Sequence, residues 1–159
     1  MSARTARERL AEAQSALVRS LAQGAPVPAG FNAERVQETA RTLLAKRRRR
    51  VQRSWPRLTE ALGESFRPRF DAWAQENPME LEASPLADGR RFADALLGAG
   101  EFPDMAREEL LIFELRYHLT GQGLVPRRGL TLRSMRIGSS ILLAARLPGG
   151  RVLRLRLPF

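Results

Sequence analysis

Residues 120–159 read TGQGLVPRRGLTLRSMRIGSSILLAARLPGGRVLRLRLPF, and this stretch decides the fold. At its end Leu153, Leu155 and Leu157 interleave with Arg154 and Arg156. That two-residue period is the period of a strand, and it predicts one face on a core and a guanidinium face on the other side. Pro148-Gly149-Gly150 supplies a turn joining residues 141–147 to 151–157 as a hairpin. A further strand is expected over 130–137. Gly121, Gly123, Pro126 and Gly129 read as loop punctuation. Upstream the apolar spacing is helical. The expected class is therefore α+β, mainly α: an N-terminal helical bundle over 1–119, then a basic antiparallel β-meander over 120–159 packed on it as one unit.

Charge follows the same division. After Glu114 there is no Asp or Glu, yet this stretch holds nine arginines of the chain's 27 Lys and Arg. Nearly all of the formal net charge of +10 thus belongs to the expected sheet. A cationic sheet beside a near-neutral helical body suits an anionic partner. Arg133, Arg136, Arg146, Arg151, Arg154 and Arg156 are the candidate binding residues. Arginine's planar fork of donors matches carboxylate or phosphate.

The helical part is punctuated clearly. A first helix over 3–23 carries Leu10, Ala13, Leu17 and Leu21 as a stripe and stops at Gly24. Asn32 is placed to cap a second helix over 33–53, with Phe31 and Val36 at the positions of a hydrophobic staple. Arg47 falls on that helix's apolar face, so it should find a carboxylate such as Glu60 or Asp71. The run Lys46-Arg47-Arg48-Arg49-Arg50 encircles the helix. Lys46, Arg47 and Arg50 are its candidate anion-binding or structural members. Trp55-Pro56 starts a short helix over 56–62, ended by Gly63. Phe66, Phe70 and Trp73 form an aromatic stripe on a helix over 66–75. An acidic surface loop over 76–85 separates helices expected over 86–97 and 103–117, the latter with Ala106, Leu110, Phe113 and Tyr117 inward.

Catalytic patterns are missing. The chain has no cysteine, and its single histidine, His118, has no partner at metal-ligand spacing. No phosphate-binding loop or nucleophile elbow occurs. The pairs Glu80/Glu82 and Glu108/Glu109 read as solvated charge. Neither an enzyme acting alone nor a cofactor is expected. The N-terminus lacks an apolar signal core, and no apolar run approaches a membrane span, so a cytoplasmic protein is expected.

A resemblance adds to this reading. Gly24-Ala25-Pro26-Val27-Pro28, Gly30-Phe31-Asn32, Leu44-Ala45-Lys46-Arg47, Val51, Trp55-Pro56, Leu62-Gly63 and Phe66, Phe70 and Trp73 follow in an order that resembles the partner domains of multinuclear non-heme iron-dependent oxidases. Those domains accompany ribosomally made, post-translationally modified peptides. The order is also similar to a broader group described as DNA-binding domains. The first resemblance implies a non-catalytic partner that binds a precursor peptide and presents it to an iron-dependent oxidase, which would hold the metal. An exposed strand edge can accept such a peptide while arginines read its carboxylates. The alternative is a nucleic-acid-binding protein of winged-helix-like plan, its phosphate contacts supplied by the same arginines. A plain scaffold subunit is a third.

Overall fold

The structure, a computed structural model, describes residues 3–78, 84–121 and 123–158. Helix α1 spans Ala3–Gln23, α2 Ala33–Ser54, α3 Pro56–Leu62, α4 Phe66–Glu76, α5 Pro85–Gly98 and α6 Arg107–Arg116. Strands follow as β1 Tyr117–Thr120, β2 Gly123–Pro126, β3 Thr131–Ile137, β4 Ser140–Arg146 and β5 Val152–Pro158. This is the α+β, mainly α architecture that the change of period announces. The acidic loop's central residues, with the Glu80/Glu82 pair, lie outside the described residues.

Packing divides the chain into two units, residues 1–49 with 67–81 and residues 50–66 with 82–159. The sequence-based division at 119/120 was drawn on secondary structure and falls inside β1, whereas these units mark which elements pack together.

In the first unit, Asn32 caps α2: its Oδ1 accepts the Arg35 backbone N–H at 3.0 Å. Val36 is buried while Phe31 remains exposed. Arg47 is buried, as its position on the apolar face implied, and main-chain carbonyls are among its partners. Its Nη1 donates to the carbonyls of Asn77 at 2.8 Å and Ala74 at 3.4 Å, at the end of α4. The guanidinium lies 5.1 Å from the Trp73 ring centroid and 5.9 Å from that of Phe70. Helix C-terminal carbonyls carry partial negative charge, and ring faces attract cations, so this pocket stabilises the charge. Asp71 goes instead to Arg48, whose Nη1 reaches its two oxygens at 2.5 and 2.6 Å.

The second unit is built on Trp55. Its ring stacks tilted on Phe113 at 5.1 Å, and Nε1 donates to the Leu86 carbonyl at 3.2 Å. Phe66 meets Phe92 edge to face at 5.9 Å. Gly89 of α5 permits the close approach of the indole: a Cβ there would collide with the Trp55 ring. Glycine inside a helix costs about 1 kcal/mol relative to alanine, and the docked tryptophan explains why it is tolerated.

Helix α3 lacks a side-chain cap at Trp55. Glu109 of α6 performs that task from a distance, accepting the backbone N–H of Leu58 at 2.9 Å and of Arg57 at 3.2 Å. Glu108 pairs with Arg57 at 3.0 Å. These two carboxylates are therefore structural, not the solvated pair expected.

Helix α6 ends one residue before Tyr117, which begins a strand. The hairpin of β1 and β2, with Thr120 paired to Gly123, replaces the loop expected over this glycine-marked stretch. Arg127 secures it by donating from its backbone N–H to the Arg116 carbonyl at 2.8 Å and from Nε to the Tyr117 carbonyl at 3.1 Å. His118 is exposed on β1, its Nδ1 3.3 Å from Arg127 Nη2. A separate sheet runs β3-β4-β5, antiparallel throughout. The expected turn at Pro148-Gly149-Gly150 connects β4 to β5, with Gly150 N–H donating to the Leu147 carbonyl at 2.9 Å.

Candidate cationic sheet

Register decides where each arginine stands. Residues directly opposite in an antiparallel pair share a face. One face therefore carries the rows Thr131–Arg146–Val152, Arg133–Ala144–Arg154, Met135–Leu142–Arg156 and Ile137–Ser140–Pro158. The other carries Leu132–Ala145–Leu153, Ser134–Leu143–Leu155 and Arg136–Ile141–Leu157.

Helix α6 covers the first of these faces, lying over β3 and β4. Leu111 and Leu115 pack on Leu142 and Ala144, with Met135, Ile137 and Val152 around them. The core side is thus the side that bears Arg133, Arg154 and Arg156. This reverses the expectation that Leu153, Leu155 and Leu157 face the core. They are 52%, 57% and 43% exposed. The reason lies in β4, whose buried Leu142 and Ala144 set the parity of the sheet. Their partners on β5 are arginines, beyond the strands that α6 covers, where a long stem can follow apolar surface and deliver its head to the rim.

Arg154 uses that reach to pair with Glu108, the carboxylate that also holds Arg57. Arg146 donates to the Gly129 carbonyl at 3.3 Å and is partly buried. Arg133, Arg136, Arg151 and Arg156 are exposed; Arg136 alone of these strand arginines lies on the leucine side. The six candidates are therefore not one surface. Of the other basic set, Lys46 and Arg50 are exposed and Arg47 is the buried, structural member.

Strand β5 is paired on one side, to β4, and its residues 153–158 are all exposed. The leucine side forms a shallow concavity of about 430 Å³ over Leu132, Leu143, Leu153 and Leu155. A second hollow of about 390 Å³ lies among Trp55, Arg57, Glu109, Phe113, Arg116 and Tyr117. Burial raises the Glu109 pKa above the ordinary 4.5, outweighing the two main-chain N–H groups and Arg57 that favour its charge. Among the described residues no three of His, Cys, Asp and Glu gather to hold a metal ion, and no helix is long and apolar enough to cross a membrane.

A sheet edge, arginines and an apolar face thus occur together in the β3–β5 sheet. Residues 11–98 match the family described as SCO6045-like, C-terminal domain, and the chain belongs to that family. It is also 43% identical over 99 residues to a UPF0276 protein of Streptomyces avermitilis. That match covers 62% of this chain and 20% of the relative, so the chain aligns with only about a fifth of the longer protein. No solved structure matches the chain. The family match ends at residue 98, before the cationic sheet begins.

Proposed function

We propose that this chain is a non-catalytic peptide-binding partner that presents a ribosomally made precursor peptide to an iron-dependent modifying oxidase. The observation that carries the proposal is β5: among the described residues it has one strand neighbour, it is exposed along residues 153–158, and exposed Arg151 precedes it while exposed Arg156 lies within it. An extended peptide adding to that edge gains main-chain hydrogen bonds, and its carboxylates meet guanidinium groups. The absence of any acidic residue after Glu114 leaves this region cationic as a whole. Similarity to one-fifth of a longer protein fits a module working beside, or joined to, a larger body. The oxidase itself rests on the resemblance of residues 24–73, and the iron would be the oxidase's own.

The test is a titration of the purified chain with a labelled acidic extended peptide and with duplex DNA at two ionic strengths. Peptide binding should saturate at one per chain, depend modestly on salt, and weaken about tenfold, roughly 1.4 kcal/mol, in an Arg151→Ala/Arg156→Ala variant. Arg154 is left intact because it holds Glu108. DNA binding with a log–log salt slope of about −0.9 per phosphate contact, without peptide binding, would establish the nucleic-acid reading instead.

A further inference from the structure

Strand β4 contains Ile141-Leu142-Leu143-Ala144-Ala145, apolar at every position. An unbroken apolar run is the pattern of a strand covered on both faces, as in sheets layered between helices. Here one face is covered. Leu142 and Ala144 lie under α6 at 6% and 3% exposure, whereas Ile141 and Leu143 on the opposite side are each 38% exposed. Their neighbours across the sheet, Leu132, Leu153, Leu155 and Leu157, are more exposed still. Six large apolar side chains thus form one continuous patch, of a kind that soluble monomers seldom leave in water.

From this we infer that the leucine face of the β3–β5 sheet docks an amphipathic helix of a partner protein, with an apolar stripe bordered by carboxylates. A helix is the occupant because it would repeat on this face what α6 does on the other, completing a helix–sheet–helix sandwich over β4. The flanks must be acidic because the surroundings are cationic. Arg136 shares the face, Arg133 stands on the β3 edge, and Arg151 precedes β5. A second copy would bring nine like charges of its own C-terminal region against these. The patch is a face, whereas the proposed peptide site is an edge, so this inference goes beyond that reading and does not depend on it.

Fluorescence anisotropy with two synthetic helical peptides of about 20 residues tests it. Both carry leucines at i, i+3, i+4 and i+7; one has glutamate flanks and the other lysine flanks. The glutamate peptide should saturate at one per chain and the lysine peptide should bind about tenfold more weakly or less. Leu153→Asn/Leu155→Asn, at two positions more than half exposed, should keep the circular dichroism spectrum and urea midpoint while weakening the glutamate peptide about tenfold. The same variant should still bind the extended acidic peptide, so loss of one activity is distinguishable from loss of the other. Equal binding by chain and variant, equal binding of the two peptides, or no saturation would overturn the inference. So would binding to phosphatidylserine vesicles without peptide binding, or a dimer in sedimentation that the variant dissolves.

Discussion

In the helices of the second unit Trp55, Leu58, Phe66, Phe92, Leu110 and Phe113 are buried, and among the described residues no buried side-chain nitrogen or oxygen lacks a hydrogen-bond partner. Across the β3–β5 sheet from α6, leucines of the same chain stand in solvent. The difference does not lie in leucine or arginine as such, since both residue types serve in both regions. It comes from what each element lies against. Near Trp55 helices α5 and α6 converge on one indole, while the β3–β5 sheet has one face under α6 and a second face left exposed. A covered core is therefore set apart from an apolar surface that the chain itself leaves exposed, as the proposed docking face requires.

Substitutions sharpen this contrast. The largest effect is expected for Trp55→Ala, about 3–5 kcal/mol, because it empties the centre of the core and releases the Leu86 carbonyl. Urea unfolding followed by circular dichroism measures it, and a loss below about 1 kcal/mol would show the core to be elsewhere. Arg47→Ala should cost about 2 kcal/mol, because it strips a buried cation from two carbonyls and leaves a cavity against Trp73. Lys46→Ala, one residue earlier and exposed, should change the midpoint little.

Glu109 sets the next comparison, in which pH is the variable. Its raised pKa means that above pH 4.5 the folded state holds more proton than the unfolded one. Its contribution therefore falls as pH rises through the raised pKa and returns on acidification toward 4.5. Against Glu109→Gln, the wild type should gain relative stability between pH 7 and pH 5, read from urea midpoints. The opposite trend would mean that the Arg57 and Leu58 N–H groups govern the carboxylate. The smallest effect belongs to the leucine face: Leu155→Asn should leave stability within about 0.5 kcal/mol, since a largely exposed side chain loses little burial. A loss comparable to that of a core residue would erase the distinction between the two regions.

The helices were legible because their signals are local. Asn32 caps where a short polar side chain should, Pro56 and Gly63 bracket α3, and α2 extends one residue past its expected end. The β1–β2 hairpin was not legible: Tyr117 continues the helical spacing of Ala106, Leu110 and Phe113, and the glycines beyond it read as loop. The side-chain parity of β5 was hidden for another reason. Alternation in residues 151–157 identifies two faces but cannot say which is covered. The run at 141–145 held the clue, being apolar on both. Arg47 was recognised as buried, but two of its contacts, the main-chain carbonyls of Ala74 and Asn77, are ones that no residue type announces. Of the candidate binding residues, the sequence located the cationic region and missed the tie between Arg154 and Glu108.

That tie would turn the proposed peptide binding at β5 into an exchange. A ligand carboxylate approaching Arg154 finds the guanidinium already occupied by Glu108, and Glu108 already shared with Arg57. Taking Arg154 replaces one carboxylate by another, so little electrostatic attraction is gained there. Glu108 retains Arg57 when it is displaced, which keeps the cost of the swap low. Arg154 would then act as a gauge of fit, yielding only to a ligand already held elsewhere along the strand.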